Sequence, residues 1–83
     1  MKLQMFMVFD SVAKVFQTPY FAGTLGEGER MFQDACNDDR APFKKHPKDY
    51  TLYHMGELDQ ATGFIQMVDK PVKIVLATQF VKQ

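Results

Sequence analysis

Residues 3–9 alternate without interruption: Leu3, Met5, Met7 and Phe9 point one way, Gln4, Phe6 and Val8 the other. A period of two is the mark of a strand and is incompatible with a helical stripe over the same stretch. Apolar residues on both faces place this strand centrally in a sheet. Asp10-Ser11 reads as a turn, and Ala13 to Thr18 as a second strand that Pro19 stops or confines to an edge.

Thr24-Leu25-Gly26-Glu27 fits a capping box, in which the threonine hydroxyl takes an early amide and Glu27 reaches back to the cap. The helix it opens runs to about Asn37. Leu25, Gly28, Phe32, Ala35 and Cys36 fall on one stripe facing the sheet. Gly26 and Gly28 weaken the first turn but permit close approach to a strand. Tyr20-Phe21 is read as packing against that first turn. Residues 38–48 carry two prolines and many charges and form a loop, long enough to suggest a function. Tyr50 to Leu58 is the next strand. Asp59-Gln60-Ala61-Thr62-Gly63 is a hairpin signal, with Gly63 supplying a positive φ. Phe64 to Val68 returns, Asp69-Lys70-Pro71 breaks it, and Val72 to Phe80 is a final apolar strand. The expected fold is α+β: a small single domain spanning 1–83, in the order β-β-α-β-β-β, with one helix on a mostly antiparallel sheet. Most of Phe6, Phe9, Phe32, Phe64 and Phe80 are expected in the core.

A chain of 83 residues buries roughly 60–65% of its surface, so small domains often add a disulfide, a metal or a partner subunit. The single cysteine, Cys36, cannot form an internal disulfide, and one thiol with two histidines makes a poor metal site. Self-association as a homodimer is therefore an expectation. No stretch approaches the ~20 apolar residues of a membrane span, and the N-terminus lacks a cleavage site, so a cytosolic location is expected.

Chemistry for catalysis is sparse. Cys36 lies on the stripe expected to be buried, His46 is in the loop, and His54 sits on a strand with no carboxylate obviously placed to orient it. There is no glycine-rich phosphate loop. No catalytic residue, metal site or cofactor is expected.

The ten Lys/Arg and ten Asp/Glu sum to zero, which removes any bulk electrostatic argument for nucleic acid. The distribution is uneven, however. Residues 27–39 hold five acids against Arg30, whereas 40–48 hold Arg40, Lys44, Lys45 and Lys48 and no acid. These cations beside Phe43, with Tyr50 and Tyr53 just beyond, have the composition of a surface that tracks phosphates and stacks bases. Two other readings stand beside it: a solvated loop anchored by Phe43, or a loop whose cations are neutralised by Asp34, Asp38 and Asp39.

The chain also resembles the small nonstructural proteins of gokushovirus-type microviruses, which are single-stranded DNA phages. The resemblance is carried by Met1-Lys2-Leu3 running into Phe9-Asp10-Ser11, then Pro19-Tyr20-Phe21, Asn37-Asp38, Pro42-Phe43 and His46-Pro47-Lys48-Asp49-Tyr50-Thr51-Leu52. It continues through Gly56-Glu57-Leu58-Asp59 and Thr62-Gly63 to the Pro71 segment. It implies a DNA-binding role in the cytoplasm of a bacterial host, assisting the switch from duplex replication to single-strand synthesis and packaging. It identifies no contact residues. The alternative is a protein-interaction module that binds the replication initiator, a host replication factor or assembling capsid. In that case the apolar final strand (Val72, Ile74, Leu76) would pair across an edge.

Overall fold

The computed structural model describes residues 1–81. The long alternating segment forms β1 (Lys2–Asp10), followed by two short strands, β2 (Val15–Phe16) and β3 (Tyr20–Ala22). A single helix, α1 (Leu25–Cys36), precedes the 3-10 turn Pro47–Asp49 and two long strands, β4 (Tyr50–Asp59) and β5 (Ile65–Leu76). A second 3-10 turn, Ala77–Gln79, follows. All pairings are antiparallel in the order β2-β1-β4-β5, and β3 shares the β2 side of β1. The α+β architecture is the one expected. Two details differ: Tyr20–Ala22 is a strand rather than only a packing segment, and the last two expected strands are one.

The continuity of β5 has a local explanation. Between the pairs Gly56↔Met67 and His54↔Val72, four residues of β5 (68–71) stand opposite Met55 alone. The Asp69-Lys70-Pro71 break therefore appears as a wide bulge, which removes Pro71 from a ladder position where its missing N–H would matter.

The two faces of the sheet have different fates. On the inner face, Phe6, Val8, Leu52 and Val75 pack against Phe32 and Cys36 of α1 and against Phe43, Ala77 and Val81. Gly28 allows this contact, because a Cβ there would stand 2.1 Å from the Phe6 ring. Phe6 also stacks on Tyr20 at 5.3 Å, and the Tyr20 hydroxyl donates to the Gly28 carbonyl at 2.7 Å. The helix is thus clamped across its second turn. Half of the expected cap forms as read: Thr24 Oγ1 accepts from Glu27 N, but Glu27 Oε2 accepts from Gly23 N, one residue before the cap, rather than from the cap itself. The outer face, which by alternation carries Leu3, Met5, Met7 and Phe9, has no helix over it, although Met5 is buried.

Three expected core positions are not in the core. Leu25 is 51% exposed, because it sits at the helix start beyond the reach of the sheet. Phe64 is 75% exposed, since it follows the hairpin turn past the end of α1's cover. Phe9 is half-buried on the outer face. Phe80 lies in the turn region rather than in a strand and packs partly against the core.

Candidate nucleic-acid interface

The loop before β4 does not present the surface its composition suggests. Asp38 Oδ1 accepts from the Arg40 backbone N at 2.9 Å and from Nε at 3.1 Å, and Oδ2 accepts from Nη2 at 3.0 Å. The guanidinium beside it holds the Asp38 carboxyl below the usual carboxylate range. Lys44 Nζ donates to Asp39 Oδ1 at 2.6 Å. Phe43 lies between Phe32 and Tyr50, with ring centroids 5.5 Å and 4.7 Å away, and Phe43 and Tyr50 are 9% and 8% exposed.

Magnitudes separate these effects. Exposed ion pairs contribute about 0–1 kcal/mol, so phosphate can displace them. Extracting a core phenylalanine costs about 3–5 kcal/mol, more than the ~1–3 kcal/mol a stacked base returns. Phe43 and Tyr50 are therefore withdrawn as stacking residues. Of the seven residues proposed from sequence, Arg40 and Lys44 are paired with acids. Lys45 and Lys48 are exposed with no ion pair among the described residues. Tyr53 belongs to another surface.

That surface is on the outer face. Phe9 pairs with Phe16 across the β1–β2 ladder, and Met7 pairs with Tyr53, which in turn sits opposite Lys73. The three rings form a compact cluster: Phe9–Phe16 at 4.8 Å, Phe16–Tyr53 at 5.5 Å edge-on, and Phe9–Tyr53 at 6.4 Å. Phe16 is 41% exposed, and Phe9 and Tyr53 are half-buried, so the cluster is held by its own contacts while its rim is open.

The adjoining turn is rigidly built. Asp10 Oδ1 accepts from Val12 N and Ala13 N, and Lys14 adopts φ 60° as its N–H returns to the Asp10 carbonyl. Ser11 N donates to the Asp49 carbonyl at 2.9 Å, bringing the turn against the 3-10 segment that carries Lys48. Lys14, in this turn, and Lys73, opposite Tyr53, thus stand at the aromatic end of the sheet with Asp10. Sequence reading missed this cluster because it grouped Phe9 with the candidate core phenylalanines and gave Phe16 no role. The usable signal was parity: Phe9 lies on the face opposite Phe6.

The other end of the inner face, beyond α1, is polar. Glu57 Oε2 accepts from Gln4 Nε2 at 3.0 Å, and Gln4 Oε1 accepts from His54 Nε2 at 2.8 Å. Lys2 Nζ stands 4.0 Å from Glu57 Oε1. His54 is therefore oriented by Gln4, and only indirectly by a carboxylate. Glu57 and Gln66 separate two open cavities of about 300 Å³ and 440 Å³.

No helix among the described residues is long and apolar enough to cross a membrane. A family model described as "Phage ORF5 protein" matches residues 3–80. No curated protein and no solved structure matches the chain.

Proposed function

The chain belongs to the Phage ORF5 protein family and is a bacteriophage protein, and we propose that within this family it is a non-catalytic protein that binds single-stranded DNA. The proposed role is to assist the switch from duplex replication to single-strand synthesis and packaging in the cytoplasm of the bacterial host. The observation that carries the reading is the open Phe9–Phe16–Tyr53 cluster, with Lys14 and Lys73 unpaired among the described residues beside it. Bases stack on such rings without regard to sequence, and the lysines follow the phosphates.

The test is fluorescence anisotropy of a labelled oligothymidine against the pure protein, with duplex as the competitor. Phe16→Ala with Tyr53→Ala removes two rings. At ~1–3 kcal/mol per base this weakens binding by at least about 30-fold. Lys44→Glu with Lys45→Glu has the smaller effect, since Lys44 is already paired. Equal losses in the two double variants would return the interface to the loop, and no binding at low salt would refute the reading.

A second reading, a protein-interaction module, draws on β5. It is an edge strand with Ile65, Met67 and Val72 about half exposed. Such an edge can accept a strand from a second copy or from a phage or host replication protein.

A further inference from the structure

The helix-free end of the inner face has an organisation that stacking of arbitrary bases does not require. Phe64 is 75% exposed on the wall of the 300 Å³ cavity, whose lining also includes Lys2, Glu57, Asp59, Thr62 and Gln66, with Asp59 in register opposite Lys2. The Glu57 carboxylate is not free to rotate: Gln4 donates to its Oε2, and Gln4 is itself held by His54. Its Oε1 faces Lys2 Nζ at 4.0 Å. The cavity wall therefore offers an ordered row of two acceptors followed by one donor, next to an uncovered aromatic face.

We propose that this cavity binds a guanine base, stacked on Phe64 and read by Glu57 and Lys2. A carboxylate only accepts, and an ammonium only donates. Guanine is the nucleobase whose pairing edge presents two adjacent N–H donors, N2–H and N1–H, followed by the O6 acceptor. The two donors meet Glu57 Oε2 and Oε1, and O6 meets Lys2. Adenine and cytosine each place a ring-nitrogen acceptor where N1–H stands in guanine, against the carboxylate. Thymine flanks its one N–H with two carbonyls. Charge-assisted hydrogen bonds to a carboxylate are the stronger kind, so discrimination falls on Glu57. Oε2 keeps a second lone pair after accepting from Gln4. The site deepens the DNA-binding reading by adding a base preference, and it lies on the opposite face from the Phe16–Tyr53 cluster.

Calorimetric titration with guanosine monophosphate and adenosine monophosphate tests the site, alongside anisotropy with an oligothymidine that contains no guanine. The expected result is saturable guanosine monophosphate binding at least 10-fold tighter than that of adenosine monophosphate. Glu57→Gln replaces one acceptor by a donor at nearly the same shape and is expected to remove that preference. Phe64→Ala, at an exposed position, is expected to weaken both nucleotides with an unchanged melting curve. Equal affinity for the two nucleotides, no heat at millimolar ligand, or an unaffected Phe64→Ala variant each overturns the proposal. Oligothymidine binding separates the two claims: if it persists while guanine selectivity is absent, only the cavity assignment fails. If it is lost while guanosine monophosphate still binds selectively, only the outer-face assignment fails.

Discussion

Replacing Gly28 by alanine tests whether the helix is held against the sheet as the structure indicates. The added Cβ would lie 2.1 Å from Phe6 Cζ, 2.2 Å from Cε2 and 2.7 Å from Cε1. Carbon atoms in contact sit about 3.5–4.0 Å apart, so the ring or the helix must move by about 1.5 Å. Neither is free to do so. Phe6 is fully buried and stacked on Tyr20, and the Tyr20 hydroxyl is bonded to the Gly28 carbonyl itself. Overpacking of this kind costs about 1–3 kcal/mol, and straining the Tyr20 hydrogen bond adds about 1 kcal/mol. Alanine's better helix propensity returns about 1 kcal/mol. The net expectation is a loss of about 1–3 kcal/mol, which at about 4–8 °C per kcal/mol lowers the melting temperature by roughly 5–20 °C. Thermal and urea melts followed by far-ultraviolet circular dichroism measure it. Gly26→Ala is the control, because its Cβ meets only Thr24 Oγ1, at 3.9 Å. That variant gains up to about 1 kcal/mol. A Gly28→Ala protein as stable as the Gly26→Ala control would refute the packing argument.

Two further perturbations follow from the same close contacts and buried groups. A Cβ at Gly56 would stand 2.3 Å from the Gln66 carbonyl oxygen, which is backbone. Gly56→Ala is therefore expected to destabilise by at least about 1–3 kcal/mol and to speed amide exchange at Gln66 and Met67; unchanged exchange there would count against the register around the bulge. Burial pushes the Cys36 thiol from its ordinary 9.0 up to about 11, so the unfolded chain releases this proton before the folded one does. The contribution of Cys36 to stability is thus full below pH 9 and is lost as pH rises from about 9 to 11. Urea midpoints at pH 8 and pH 10.5 should differ more in the wild type than in Cys36→Ala.

The parts of this fold legible in sequence are those fixed by local chemistry. Residues 3–9 needed only parity, the helix start needed Thr24 and Glu27, and the β4–β5 turn needed Gly63, which does adopt φ 76°. What escaped was decided by distance. Whether a patterned phenylalanine on the inner face is covered depends on where the helix ends over the sheet, and nothing local to Phe64 encodes that; Phe9 was legible by parity once α1 is put on the Phe6 face. The loop misled for a related reason. Phe43 and Tyr50 are seven residues apart in a polar, proline-rich stretch, yet they meet edge-on at 4.7 Å beneath α1. The alternative weighed for that loop, an anchoring phenylalanine with cations neutralised by preceding acids, describes Phe43, Arg40 and Lys44 as they stand. For the candidate interface, Tyr53 alone carried over with an aromatic face at the open surface.

The salt dependence of binding then distinguishes the two surfaces numerically. If DNA runs along the outer face, the cations beside the rings are Lys14 and Lys73, neither of them in an ion pair among the described residues. For single strands the slope of log affinity against log salt is about −0.7 per phosphate neutralised, which gives about −1.4 if both engage and less if Asp10 offsets one of them. A neutral protein with so few contacts must draw much of its affinity from stacking, so binding should persist at moderate salt and weaken sharply in Phe16→Ala. A slope well beyond about −1.4 would mean that cations of the 40–48 loop also meet phosphate. The decisive comparison is then Lys44→Glu in the same titration. If DNA follows the outer face, this substitution leaves the slope unchanged, because Lys44 then neutralises no phosphate and no release of DNA counterions depends on it. A slope shallower by about 0.7 in that variant would refute the outer-face path.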